Sequence, residues 1–423
     1  MGGKGDQIML AFISDIHLTD GTSGETIHSG AFRKFALYLK DMVETAEAKE
    51  LEIVLLGDIF DVIRSNYWLR SGIRPWSDVR AKDGEGKGVK DYTIQIVNKI
   101  CRNRVNKESI TYLKDFKEQM AKEGVLTKIT YIIGNHDWLV NRYPEARATI
   151  ARFLGMENAT EYKNNTFPTE GFWEGYRVFA RHGDIYDPFN FDEDRNASSL
   201  GDAIVIDLVN RFPKEVESAI GRATDPNLVS QLREIDNVRP LIDIPLWVHG
   251  ACRKAISPET GKKVKEIWNK LVKDFLKIKF VKQHDKPWRM DAVDALQLGL
   301  GISTFFSIKD IVNFPIRKLY KKSEDYVNKA FHEEHVKRNV AEFVVYGHTH
   351  HHQVVPLDLV PMPGEILQKT YFNTGTWRRA HEKATFGVED QEFLSRHVMT
   401  FIAFYQKEER KNHKFEVWNG ALG

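Results

Sequence analysis

The chain has only two cysteines, Cys101 and Cys252, among 423 residues, too few for a disulfide framework. That scarcity fits a reducing, cytoplasmic setting. No stretch approaches the roughly 20 apolar residues of a membrane span, and Met1-Gly-Gly-Lys-Gly-Asp6 does not read as a secretory leader. Asp6 stands where N-myristoylation would want Ser or Thr. A charge excess is missing too: 61 Lys and Arg against 59 Asp and Glu leave +2, giving no global reason to expect nucleic acid or membrane. Lys87 is followed by Gly88 rather than Ser or Thr, so the phosphate-binding P-loop pattern is absent. What remains is an ordinary globular composition, 42% hydrophobic and 28% charged, ample for a full core. At this length, one domain with large insertions and two domains are both open.

Against these absences stand five short blocks rich in metal-ligating side chains. In chain order they are Asp15-Ile-His17, Gly57-Asp58-Ile-Phe-Asp61, Gly134-Asn135-His136-Asp137, His182-Gly-Asp184 and Gly347-His348-Thr-His350. Each alone is weak, but every one follows a short apolar run, as at the C-terminal end of a buried strand. Those runs are Ile8–Ile13, 53–56, 129–133, 177–180 and Phe343–Tyr346. Between the first two, Phe32, Phe35, Ala36, Leu39 and Val43 recur at helical spacing, which makes a right-handed parallel crossover. Further strands are expected at 370–373, 398–405 and 414–418, the last two joined by a polar hairpin loop. Mixed Asp, His and Asn ligands suit two divalent ions such as Mn, Fe or Zn, with no need of thiolates. The pattern points to a dinuclear metallohydrolase.

On those blocks the chain resembles the calcineurin-like metallophosphoesterases, whose pattern D-x-H, G-D-x-x-D, G-N-H-[DE], lone His and G-H-x-H is met in full. The resemblance implies a four-layer αββα sandwich with ligands in loops at strand ends. It implies Asp58 as a carboxylate shared by two ions, most simply Mn. Asp15, His17 and His350 would complete the first site, and Asn135, His182 and His348 the second. Two ions about 3.5–4 Å apart lower the pKa of a bridging water and clamp phosphoryl oxygens, so a bridging hydroxide would attack phosphorus. His136 would protonate the leaving oxygen or stabilise phosphoryl charge, with Asp137 holding its ring. Asp61 and Asp184 would orient histidine ligands. Within the family, Gly57–Asp61, His182–Asp184 and the long insertion before Gly347 look most like the UDP-2,3-diacylglucosamine hydrolase branch. That branch usually carries Arg where this chain has His136.

Two insertions separate the blocks. The first, at 64–123, offers Arg64, Arg70 and Arg74 beside Trp68, Ile73 and Trp76 as candidate substrate contacts, followed by Arg80 and a Gly-rich turn at 83–88. The second, at 188–340, is helical in pattern, with apolar spacing at 203–209, 264–278 and 326–336 and breaks at Pro240 and Pro245. It is expected to cap a core formed by 1–187 and 341–423. From Arg253 to Arg289 it holds twelve Lys and Arg against four acids, with Trp268, Phe275, Phe280 and Trp288 interleaved. That segment is either a polyanion-binding or membrane-surface patch, or an amphipathic helix with its aromatics in the core. His332-Glu-Glu-His335 lacks the spacing of a zinc helix and is expected on a solvated face. His351 and His352 are expected at the surface or behind the ligands. The functions to be separated are hydrolysis of a phosphodiester, pyrophosphate or lipid-linked nucleotide, nuclease activity, and non-catalytic scaffolding.

Overall fold

The computed structural model describes residues 8–24, 27–28, 30–77, 87–239, 243–284, 323–384, 392–406 and 413–422. Arg80, the turn up to residue 86, Pro240, Trp288, Arg289 and the hairpin loop at 407–412 lie outside the described residues.

Twelve described strands form two sheets. The first sheet holds β1 (Ile8–Ile13), β2 (Glu50–Leu56), β3 (Leu126–Ile132), β6 (Val238–Arg239), β10 (Arg379–Lys383), β11 (Phe393–Phe404) and β12 (Phe415–Leu422). Its order is β3-β2-β1-β11-β10-β6, with β12 pairing β11. The second sheet holds β4 (Glu170–Trp173), β5 (Val178–Arg181), β7 (Phe343–Tyr346), β8 (His352–Met362) and β9 (Glu365–Thr374), in the order β4-β5-β7-β9-β8. Both are mixed: β1, β2 and β3 run parallel, as do β5, β7 and β9, while β11 and β8 run antiparallel to their neighbours.

The central strands read as unbroken apolar runs because both of their faces are covered. Alternate residues Met9, Ala11 and Ile13 of β1, with Leu51, Ile53 and Leu55 of β2, pack against Phe32, Phe35, Leu39, Ile96, Ile110 and Leu113 from the outer helices. The intervening Leu10, Phe12, Val54 and Leu56 meet Val178, Ala180, Phe343, Val345 and Phe372 of the second sheet. Two helices, Ser323–Phe331 and Glu334–Lys337, cover the far side of that sheet, where Tyr326, Ala330 and Val336 pack on Phe179, Val344, Tyr346 and Tyr371. The result is the expected helix, sheet, sheet, helix stack. His335 is not on a solvated face as expected: its ring stacks on Phe179 at 4.5 Å, because Val336 and buried Glu333 turn this short helix toward the sheet.

Within 188–340, a second apolar cluster gathers Leu208, Phe212, Val216, Leu228, Trp247, Val264, Trp268, Leu271 and Phe275. It forms where helices Arg211–Ile220, Pro226–Arg233, Ile244–Arg253 and Pro258–Phe275 pack together. The last two helices of the range belong instead to the outer layer of the sandwich. Trp268 and Phe275 are buried, and Phe280 stacks on Trp76 at 4.9 Å. The basic segment is therefore an amphipathic element whose described aromatics are spent on packing. No helix of the described residues is long and apolar enough to cross a membrane.

Candidate metal centre

Each block sits where a strand ends, and the chain there leaves extended geometry abruptly. Asp15 (φ 51°), His17 (φ 52°), Asp58 (φ 53°), His348 (φ 67°) and His350 (φ 60°) all take the left-handed conformation, which costs a non-glycine residue about 1–3 kcal/mol each. This turn puts residues i and i+2 of Asp-x-His and His-x-His on one rim. Backbone bonds from Asp15 N to Gly57 O (3.1 Å) and from His17 N to Asp58 O (2.8 Å) lock the first two turns together. Glycine is required at Gly57 and Gly134 by close approach: a Cβ would overlap the His182 ring at Gly57 and the Asp58 carboxylate at Gly134.

The side chains converge. Ligand atoms of Asp15, His17 and His350 lie within 4.8 Å of one another, as do those of Asp58, His182 and His348, and those of His17, Asp58 and His136. His350 Nε2 is 3.1 Å from both Asp15 Oδ1 and His17 Nε2, and His182 Nε2 is 3.1 Å from Asp58 Oδ2. His17 Nε2 stands 3.9 Å from Asp58 Oδ2, and Asn135 Oδ1 is 3.0 Å from His348 Nδ1. Atoms held about 2.0–2.2 Å from a common ion lie about 3–3.6 Å from one another, so these separations suit coordination. Asp15 Oδ1 and His182 Nε2 are enclosed yet make no hydrogen bond among the described residues. Such atoms fit ion ligands better than satisfied polar groups. The carboxylates form a buried floor, and His136, His348 and His350 form a rim that is only slightly exposed.

The second ring nitrogen of each of three histidines is accounted for. His17 Nδ1 donates to Asp61 Oδ2 (2.9 Å), His182 Nδ1 donates to Leu56 O (2.9 Å), and His348 Nε2 faces Asp187 Oδ2 (3.2 Å). Each leaves the inward nitrogen bare for an ion. Burial pushes the Asp15 carboxyl up, but His182 and His350 outweigh it and hold it well below the usual range. Asp58 behaves alike, lowered overall by His182, His136 and His17 against its burial.

His136 stands on the rim next to this cluster. Its ring is held by Asp61, not by Asp137: Nδ1 lies 2.8 Å from Asp61 Oδ1. Burial pushes the imidazole down, but the Asp61 and Asp58 carboxylates raise it to about 10. Asp137 points the other way and fastens the loop from below, accepting from Gly134 N (2.6 Å), Ile59 N (3.1 Å) and the Tyr131 hydroxyl. Burial and the nearby Asp58 push its carboxyl up to about 7. Asp184 does not reach His182 but pairs with Arg195 through both oxygens.

The three arginines are not gathered at the rim. Arg64 is buried on Asp236, Arg74 grips Asp207 with two bonds (2.9 and 2.8 Å), and exposed Arg70 lies over the Tyr67 ring. Trp68 is fully buried and donates to Val62 O (2.9 Å). Asp187 and Asn190, which the sequence reading missed, touch the cluster from the junction between the core and the second insertion. Their one signal was their nearness to His182.

A cluster of carboxylate, imidazole and amide ligands at the strand ends of a two-sheet sandwich defines a metal-binding phosphoesterase class. The profile of the calcineurin-like phosphoesterase family matches residues 8–250, more than half of the chain, and the chain belongs to that family. The match ends before Gly347-His348-Thr-His350, which the fold nonetheless delivers to the same cluster. No curated protein sequence matches this chain.

Proposed function

We propose that this protein is a dinuclear metal-dependent hydrolase of phosphodiester or pyrophosphate bonds. The observation that carries this reading is that ligand atoms of Asp58 lie within 4.8 Å of those of His182 and His348 on one side and of His17 and His136 on the other, while Asp15 and His350 gather round the same His17. Asp15, His17, His350 and Asp58 would hold one divalent ion. Asp58, Asn135, His182 and His348 would hold the other, Mn being our first choice. When bound, the two ions supply an acidified water and positive charge for the phosphoryl oxygens. His136, fixed through Nδ1, presents Nε2 to the reacting group, either to protonate the leaving oxygen or to offset phosphoryl charge. The helical cluster of 188–340 acts as a cap selecting the substrate. The packed aromatics of the basic segment favour a small phosphorylated substrate over a stacked nucleic-acid strand.

The test is a Mn-supplemented panel of aryl phosphomonoester, aryl phosphodiester, UDP-diacylglucosamine and single-stranded DNA. The diester or the pyrophosphate should turn over, with loss on chelation and recovery on adding Mn. Preference for DNA would make the protein a nuclease. A chain that binds no divalent ion and is inert on all four would be a scaffold of the same fold.

A further inference from the structure

Four side chains around the second group of ligands close into a ring. Asp187 Oδ2 accepts from Asn190 Nδ2 (3.1 Å) and faces His348 Nε2 (3.2 Å). Asn190 Oδ1 accepts from Asn135 Nδ2 (3.2 Å), and Asn135 Oδ1 returns to His348 Nδ1 (3.0 Å). A carboxylate only accepts hydrogen bonds, so Asp187 fixes the direction of the two amides and of the His348 Nε2 contact. Asn190 must donate its amide to Asp187, which leaves its oxygen for Asn135. Asn135 must then turn its nitrogen outward and its oxygen inward. His348 gives its Nε2 proton to Asp187, and in the neutral ring, the form that can bind an ion, this leaves Nδ1 bare. Two acceptors, Asn135 Oδ1 and His348 Nδ1, are thereby aimed at one place 3.0 Å apart. Acceptors that close repel unless a positive charge lies between or beside them.

We propose that Asp187 and Asn190 are positioning residues for the second ion, and that the loop carrying them controls how tightly that ion is held. The inference rests on the two-ion reading. The ligands of the first ion are braced from within the sandwich: Asp61 holds His17, while Thr376 Oγ1 donates to the Asp15 carbonyl (2.8 Å). Two ligands of the second ion depend instead on a loop at the root of the insertion. That loop is itself shaped by Asp187, whose Oδ1 accepts from Phe189 N (2.9 Å) and whose carbonyl accepts from Asn190 N and Phe191 N (2.9 Å each).

The experiment is calorimetric titration of the metal-free chain with Mn, for wild type, Asp187→Ala and Asn190→Ala, with thermal melts of each. Wild type should take two equivalents. Both variants should take the first unchanged and bind the second about 10–100-fold more weakly. Nitrogen NMR of the metal-free protein should show His348 protonated at Nε2 in wild type and a tautomer mixture in Asp187→Ala. Two equivalents at wild-type affinity in both variants would overturn the inference while sparing the two-ion reading. Equal weakening of both equivalents with a lower melting temperature would make the loop a mere support of the fold. A single equivalent in wild type would sink both.

Discussion

Asp61 Oδ1 lies 2.8 Å from His136 Nδ1 while its Oδ2 accepts from His17 Nδ1 at 2.9 Å, so one carboxylate braces both imidazole rings. Oδ1 also accepts from Arg64 N at 3.0 Å, fixing the carboxylate to its own loop. Asp61→Asn keeps the shape but has one accepting oxygen, so only one ring can keep its anchor. We expect first-ion affinity to fall about 10–100-fold and turnover to stay depressed at saturating Mn. Wild-type ion affinity together with wild-type turnover would remove Asp61 from the site's support.

Asp58→Ala should lose both ions or leave one weakly held if, as proposed, the carboxylate is shared by both sites. Asn135→Ala should deplete one equivalent. Elemental analysis after dialysis checks this; two full equivalents in Asp58→Ala would refute the sharing.

Asp236 lies between two buried guanidinium groups, 2.5 Å from Arg64 Nη1 and 2.8 Å from Arg378 Nη1. Removing it leaves two enclosed cations unpaired, which typically costs about 3–5 kcal/mol. Asp236→Ala should therefore lower the denaturant midpoint strongly. Arg64→Gln should also destabilise, and without a specific rise in KM, which separates an anchoring role from substrate binding.

The clustered carboxylates and histidines were legible because such residues are chemically uncommon side by side and each block sits after an apolar run. The strands delivering them were legible because burial on both faces makes them continuously apolar. The edges were not. β8 alternates exposed and half-buried residues and carries Pro356 and Pro361, which an edge position tolerates, so nothing in its sequence marked it as a strand. Asp187 stands 161 residues from the His348 it holds, and nothing local marks that contact. Arg64 and Arg74 looked available because a sequence shows a cation but not the acid 172 or 133 residues away that neutralises it. Asp61 and Asp137 exchanged places as the holder of His136 for a related reason. Adjacency in sequence suggested Asp137, whereas its own turn points that carboxylate into the loop behind.

Burial raises the Asp202 carboxyl to about 7, even though it accepts from Trp138 Nε1 (3.1 Å) and Ser199 N (3.2 Å). The folded chain thus holds a proton that the unfolded chain releases near pH 4. Its stability contribution is present below that pH and is lost as pH rises toward 7, by an amount on the order of 4 kcal/mol at most. Asp202→Asn mimics the protonated form and should remove this slope. Denaturant melts of the metal-free proteins at pH 5 and pH 8 should show the variant gaining on wild type at the higher pH. Parallel stabilities at both values would mean that Asp202 stays ionised in the fold.

On the proposed assignment His136→Ala should keep fold and metal content, since the ring is anchored on Asp61 and the seven proposed ligands remain; loss of an ion would instead make His136 a ligand, as its place beside His17 and Asp58 allows. It should lose turnover by about 10²–10⁴-fold if the residue protonates the leaving oxygen. The deficit should then shrink for a nitrophenolate leaving group, which needs little protonation, and grow for an alkoxide. Equal losses across leaving groups would assign His136 to phosphoryl charge instead. In that case His136→Arg, the residue usual in the diacylglucosamine hydrolase branch, should restore part of the rate, because a guanidinium supplies charge without giving up its proton. Failure of Arg to rescue, with a strong leaving-group dependence, would fix the role as proton donor.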